Sequence, residues 1–313
     1  MCRIMSITNL SKVKNLNAVM LTVRDLVAEH NGDGYGHALS YKNSIYAEKF
    51  LDPKDFTGLD TKGPHAKMTL DIFEDTTSCV YGEVGDRPLA LVAHGRTSTN
   101  HKGLVEYSHP FVKDGQAFIH NGVVEVTKNS YDLETKNDSE FLANVYWDKG
   151  IKGVSGVSGY YAFMNLNIGG RIDIVKDTAS LYGAFCEELD SYIFATLESM
   201  IVRFAEKHKY TLSKIMAVNS FSHFTVKLGL VSGMGIFTKT NTKVKKLSAL
   251  ERKAFKDYGK DYTSKMIEDS FLDHDASVPS AFKDSRYYGS WEDDILTTNK
   301  EASRRKYFDN KKD

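Results

Sequence analysis

Cysteine stands second in this chain, directly behind Met1. Removal of that methionine leaves one residue that carries both a thiol and a free α-amino group. Their ordinary pKa values, about 8.5 and roughly 7.7–8.0, lie close together. The neutral amine can therefore take the thiol proton, directly or through a water. A single residue then supplies nucleophile and base. A lone Cys2 predicts little chemistry by itself, so the rest of the chain has to supply the other reactive groups.

Three further stretches have the residue types for that task. The apolar run Leu89-Ala90-Leu91-Val92-Ala93 reads as a buried strand. It leads into His94-Gly95-Arg96-Thr97-Ser98-Thr99, followed by Asn100-His101-Lys102-Gly103. An arginine at the end of a buried strand, among glycines and hydroxyls, is placed to grip a carboxylate with two parallel N–H groups. The plain alternative is a solvated arginine on a surface loop. A second short strand, Gln116 to Ile119, runs into His120-Asn121-Gly122. Asn-Gly usually marks a hairpin turn, but a side-chain amide beside a glycine N–H can also form an oxyanion hole. Asp138 or Ser139 reads as the N-cap of a helix through Phe141–Trp147, and capping is the simplest role for that aspartate.

The elements that must position these groups follow from periodicity. Leu16, Val19, Met20, Val23, Leu26 and Val27 form one helical stripe that ends at Asn31-Gly32. Gly32-Asp33-Gly34-Tyr35-Gly36 then reads as a tight turn into a strand, with glycines that let another backbone pass close by. A dinucleotide fingerprint needs a strand before it, and here a helix comes first. Tyr160–Met164 and Arg171–Val175 read as a strand pair joined at Gly169-Gly170. Tyr192–Ala195, Ile215–Val218 and Phe224–Leu228 read as further strands. Leu197–His208 reads as a helix. His65 reads as an isolated surface histidine, and Cys79 and Cys186 as core. Ser248-Ala249-Leu250-Glu251 is a capping box, and the polar, aromatic-dotted stretch beyond Asp273 reads as an extension rather than a core.

Composition excludes several classes. The 313 residues are 41% hydrophobic and 12% aromatic, enough for a substantial core, and carry no formal net charge. No global field argues for nucleic acid or acidic lipid. Three cysteines without metal-type spacing argue against a disulfide framework and a zinc site, and favour a reducing compartment. No segment reads as a signal peptide or as long enough to cross a bilayer, so the expected location is the cytoplasm.

Taken in order, Met1-Cys2-Arg3-Ile4, Gly32-Asp33-Gly34-Tyr35-Gly36, His94-Gly95-Arg96-Thr97-Ser98-Thr99, His109-Pro110-Phe111, His120-Asn121-Gly122 and Asp138-Ser139-Glu140 resemble the class II, N-terminal-nucleophile glutamine amidotransferase domain. The resemblance covers roughly residues 2 to 235 and is closer to the free-standing members. It implies an α+β fold, a four-layer αββα sandwich with two stacked, mainly antiparallel sheets. It implies that Cys2 attacks the side-chain amide of glutamine and that Asn121 and Gly122 stabilise the oxyanion. Arg96, assisted by Thr99, would bind the substrate α-carboxylate, and Asp138 its α-ammonium. No cofactor or metal is implied. Residues 2–237 would form the amidotransferase domain and 238–313 a C-terminal extension, partly helical, disordered or partner-binding. Arg3 departs from the glycine that many relatives carry after the nucleophile. The extension has no phosphoribosyl-diphosphate loop, sugar isomerase or adenylating motif, so ammonia would pass to a separate synthase subunit or be released. The alternatives are a γ-glutamyl amide or peptide hydrolase and a binding protein that keeps the fold without catalysis.

Overall fold

The computed structural model describes residues 2–41, 43–59, 90–98, 103–126, 131–135 and 137–239. In chain order the first strands are β1 (Arg3–Ile7), β2 (Tyr35–Tyr41), β3 (Ser44–Phe50), β4 (Ala90–Gly95), β5 (Phe111–Lys113) and β6 (Gln116–Val124). They are followed by β7 (Gly159–Asn167), β8 (Arg171–Lys176), β9 (Tyr182–Cys186), β10 (Ser191–Ala195), β11 (Met216–Ala217), β12 (Ser222–Lys227) and β13 (Leu230–Ile236). The longer helices are α1 (Leu16–Ala28), α2 (Asp138–Val154) and α3 (Glu198–His208).

The strands form two antiparallel sheets. One has the order β11-β9-β10-β1-β4-β2-β3, the other β13-β12-β8-β7-β6-β5. Strand alternation gives each sheet two unlike faces. On the first sheet, Met5, Ile7, Leu39, Leu91, Ala93 and Ile193 pack under α1 and α3. On the second, Phe118, Tyr161, Phe163 and Val175 pack under Phe141, Leu142 and Val145 of α2. The remaining faces meet each other, with the Phe194 ring 5.6 Å from that of Phe224 across the gap. Helices, sheet, sheet and helix are thus stacked as the expected αββα sandwich.

The helix over the first sheet shows why these residues take this shape. Asn15 caps α1 by accepting from the Ala18 N–H at 2.9 Å, and the stripe of Leu16, Val19, Met20, Val23, Leu26 and Val27 is buried. Burying each such side chain contributes roughly 1.5–3 kcal/mol. The helix stops where His30 turns left-handed, with φ of 63°.

Local readings fail where tertiary structure overrides them. Asn121-Gly122 makes no hairpin turn. β6 runs straight through it, pairing Asn121 with Ala162 and Gly122 with Tyr161. Nor is Asp138 or Ser139 the helix cap. Asn137 is, accepting from the Ser139 N–H at 3.0 Å, and Asp138 is the first helical residue. The strand expected at Ile215–Val218 shrinks to two residues, and β3 and β13 arise from stretches with no clear strand signal. The readings at His65, Cys79, Thr99, Ser248–Glu251 and the stretch beyond Asp273 lie outside the described residues. Among the described residues no helix is long and apolar enough to cross a membrane.

Gly36, the second residue of β2, does permit a close approach. A Cβ on Gly36 would sit 2.0 Å from the His109 carbonyl oxygen and 2.8 Å from that of Glu48. Both obstacles are backbone and cannot swing aside. Gly36→Ala should therefore cost about 1–3 kcal/mol of stability, read as a lower urea midpoint. An unchanged midpoint would mean that the segment around His109 moves freely.

Candidate active site

Cys2 lies at the start of β1, and the register decides what stands beside it. Arg3 pairs with Gly95 and Ile4 with His94, so the end of β4 delivers Arg96 next to Cys2. The Cys2 thiol donates to the Thr97 carbonyl at 3.7 Å. Alternation sends Cys2 and Ile4 toward the second sheet and Arg3 the other way, where its guanidinium reaches Glu29 at 3.0 Å.

The loop after β4 is held by the turn before β2. The Arg96 N–H donates to the Gly34 carbonyl at 2.8 Å and the Asp33 N–H to the Arg96 carbonyl at 3.2 Å. The Asp33 carboxylate accepts from the Ser98 N–H at 2.8 Å, and the Thr97 hydroxyl donates to the Asn31 side chain. The Arg96 guanidinium itself is buried and lies 5.8 Å from the centre of the Tyr107 ring. The Tyr107 backbone carbonyl in turn accepts from the Asn137 side chain at 2.9 Å. One short chain of contacts thus joins the arginine loop to the start of α2.

Asn121 and Gly122 come from the middle of β6. Their neighbour His120 faces α2, where its Nδ1 lies 2.8 Å from the Ser139 hydroxyl. Asn121 must therefore face the first sheet. Its side chain is fully buried, and neither its amide nitrogen nor its oxygen has a hydrogen-bond partner. A buried amide in that state is costly unless something else completes it. Gly122 cannot be replaced. It has φ of 150°, and a Cβ would lie 2.1 Å from the Tyr160 carbonyl oxygen. Asp138 is tied to the same strand, accepting from the Val124 N–H at 2.9 Å.

Electrostatics record which groups face one another. Burial raises the Cys2 thiol above its ordinary value. A backbone hydrogen bond at Thr97 lowers it, the Asp138 charge raises it, and the Arg96 charge lowers it. Burial lowers the Arg96 guanidinium, with Cys2 and Asp33 opposing. Cys2, Arg96 and Asp138 thus share one neighbourhood, and β6 brings Asn121 and Gly122 toward it. Thr99 lies outside the described residues. Sequence reasoning passed over Tyr107, Asn137 and the bracing pair Asn31 and Asp33. The last two were marked only by the glycines around them.

Sequence reasoning gave no role to three buried histidines, although each stands in a stretch that carries the resemblance. The His94 and His109 rings are 3.9 Å apart, and His120 lies 6.4 Å from His109. Burial pushes His94 down to about 3, reinforced by His120 and Arg96 and opposed by its contact with the His120 backbone. Burial, His94 and His120 hold His109 well below its ordinary value. Burial lowers His120 too, against Asp138 and Asp177. Among the described residues no group of three His, Cys, Asp or Glu side chains could hold a metal ion.

No protein-family model matches the chain, and no curated protein matches it. Solved structures do. The glutamine phosphoribosylpyrophosphate amidotransferase from B. subtilis matches 77% of this chain and 50% of its own, with TM-score 0.53 and 15% identity. The likeness is one of fold: this chain shares the architecture of the matched half of that structure. A second structure, described as the allosteric regulatory enzyme of purine biosynthesis, matches 78% of this chain and 50% of its own, with TM-score 0.51 and 15% identity. A third, described as a predicted glutamine amidotransferase from Pseudomonas aeruginosa, has TM-score 0.39 and 13% identity, too distant to carry an argument. The chain spans about half the length of the first two structures. The four-layer sandwich agrees with the architecture expected from the sequence.

The histidines give the fold a defined response to acid. Each has a folded-state value below its unfolded value near 6.5, so its contribution to stability is complete above that pH and is lost on acidification. Between pH 7.5 and 5 the unfolding free energy should fall, by up to about 1.4 kcal/mol per pH unit for each histidine that must take up a proton to unfold. His94→Leu should flatten that fall in urea titrations. Equal slopes in the variant and the parent would refute the assignment.

Proposed function

We propose that the protein is a class II glutamine amidotransferase acting as a glutaminase, with Cys2 as the nucleophile. The observation that carries this reading is the meeting of a thiol, a guanidinium and a carboxylate at the start of β1. Glutamine is a zwitterion with a reactive amide at its far end. One fixed cation and one fixed anion match its α-carboxylate and α-ammonium. Arg96 and Asp138 take those roles, with Thr99 assisting Arg96. Once Met1 is removed, the Cys2 α-amino group accepts the thiol proton and the sulfur attacks the amide carbon. Asn121 and the Gly122 N–H stabilise the oxyanion that forms. The amine returns the proton to the leaving nitrogen, ammonia departs, and a γ-glutamyl thioester remains. Water then attacks that thioester and releases glutamate.

Residues 2–237 form the amidotransferase domain in this reading, and 238–313 are a separate extension. Ammonia passes to a separate acceptor enzyme. The setting in this reading is the reducing cytoplasm.

Intact mass should show Met1 absent, and glutamine should release ammonia. Cys2→Ala should abolish turnover and keep the circular dichroism of the parent. Asn121→Ala should lower kcat by about 10²–10³ with little change in KM. Asp138→Asn keeps an oxygen for the Val124 N–H but loses the charge. It should raise KM about 10- to 100-fold, the worth of a hydrogen bond to a charged group. Turnover of γ-glutamyl dipeptides in place of glutamine would move the assignment to a γ-glutamyl hydrolase. Unchanged turnover in Cys2→Ala would overturn both.

A further inference from the structure

The residue after the nucleophile is anchored in an unusual way. Arg3 projects from the outer face of β1 into the last turn of α1. Its Nη1 donates to the Leu26 carbonyl at 3.3 Å and to the Glu29 carboxylate at 3.0 Å. Leu26 is near the helix end, where carbonyls lose their helical partners. Glu29 also takes Arg203 of α3 at 2.7 Å, and these two arginines hold its carboxyl below the ordinary range, Arg203 first, against its partial burial. The Arg3 side chain is 14% exposed. A charge so covered is retained at a cost unless it is well paired.

The position of that anchor matters more than its strength. β10 grips β1 from Met5 onward, pairing it with Ala195, and the Thr196 hydroxyl accepts from the Ile4 N–H at 2.9 Å. Ahead of Ile4, the β4 ladder continues alone, through Arg3 and Gly95. A chain end held on one side frays. The last side chain able to stop that before the thiol is Arg3.

The same helix turn braces the other half of the site. A Cβ on Gly95 would lie 1.9 Å from the Val27 carbonyl oxygen, so β4 abuts α1 directly. The Asn31 side chain donates to that Val27 carbonyl at 3.0 Å and accepts from Thr97, whose own carbonyl takes the Cys2 thiol. One helix end fixes Arg3 and the Arg96 loop alike.

We infer that Arg3 is a positioning residue for Cys2, holding the reactive chain end in register through the Leu26 carbonyl and Glu29 at the end of α1. Its effect on turnover rests on the proposed function, whereas its effect on the thiol does not. The experiment compares the parent with Arg3→Lys, Arg3→Met and Glu29→Gln. Lys12→Ala, which breaks an exposed ion pair with Asp190, controls for generic loss of charge pairing. Intact mass first confirms that Met1 is absent from every protein. Alkylation of Cys2 by iodoacetamide is then followed across pH. Because burial raises the thiol, loosening the chain end should speed alkylation in Arg3→Met and move its pH midpoint down toward that of an ordinary thiol. Arg3→Lys, which can still reach one acceptor, should fall between it and the parent. Glutaminase kcat per titrated thiol should drop about 10- to 100-fold in Arg3→Met. KM should stay within about twofold, because Arg96 and Asp138 are untouched.

A purely structural Arg3 would lower the melting temperature and leave both the alkylation profile and kcat per titrated thiol unchanged. That result would overturn the inference. So would a change in Lys12→Ala equal to that in Arg3→Met. Should the parent fail to turn over glutamine, the functional reading falls, and the alkylation profiles still decide the role of Arg3.

Discussion

A chain terminus is the worst place to keep a precisely held group, because terminal residues have neighbours on one side only. This fold answers by threading its first residues into the middle of a sheet. β1 is the fourth of seven strands, with β10 on one flank and β4 on the other. The strand period then sorts its side chains without further instruction. Cys2 and Ile4 look toward the second sheet, and Arg3 looks toward α1. Because β4 runs antiparallel to β1, its end lies beside the start of β1, so Arg96 reaches Cys2 by register alone.

The price of this arrangement is a polar interior. A sandwich stabilised only by burial would fill the gap between its sheets with apolar side chains, as it does at Phe194 and Phe224. At the Cys2 end the same layer carries His94, Asn121 and Arg96, all buried. Burial alone does not explain them. The unpartnered Asn121 amide and the depressed histidines each oppose folding. The large apolar layers under α1, α3 and α2 have to offset that. Polar groups held at such expense commonly mark a place where a ligand completes the bonding.

Much of this was legible in the sequence, and the failures share a cause. The α1 stripe, β4, the β7–β8 pair and α3 follow from periodicity because each buries one regular face. Cys2, Arg96 and Asp138, singled out by type and order, lie near one another in the fold. Asn121-Gly122 was ambiguous because turn propensity is local, whereas the pairing with Ala162 and Tyr161 is not. The helix cap was misplaced by one residue because Asn137, Asp138 and Ser139 can all cap. The structure assigns the task to Asn137, which leaves the Asp138 carboxylate to face Cys2 and the Val124 N–H. β3 and β13 carried no clean alternation because β3 is half-buried along most of its length and β13 is largely exposed.

The charge balance around the thiol bears on how it would be activated. A thiol beside a buried guanidinium is often thought to rest as a thiolate. Here burial outweighs Arg96, Asp138 opposes it, and the thiol rests above its ordinary value. A protonated sulfur is a poor nucleophile, so the proton must leave as the substrate is attacked, which requires a base within reach. The buried histidines are not among the charges that move the thiol, whereas Asp138 and Arg96 are. In the proposed function the base is the α-amino group that appears when Met1 is cut away. Removal of one residue would then supply the proton acceptor. In that reading the amine offsets what burial does to the thiol.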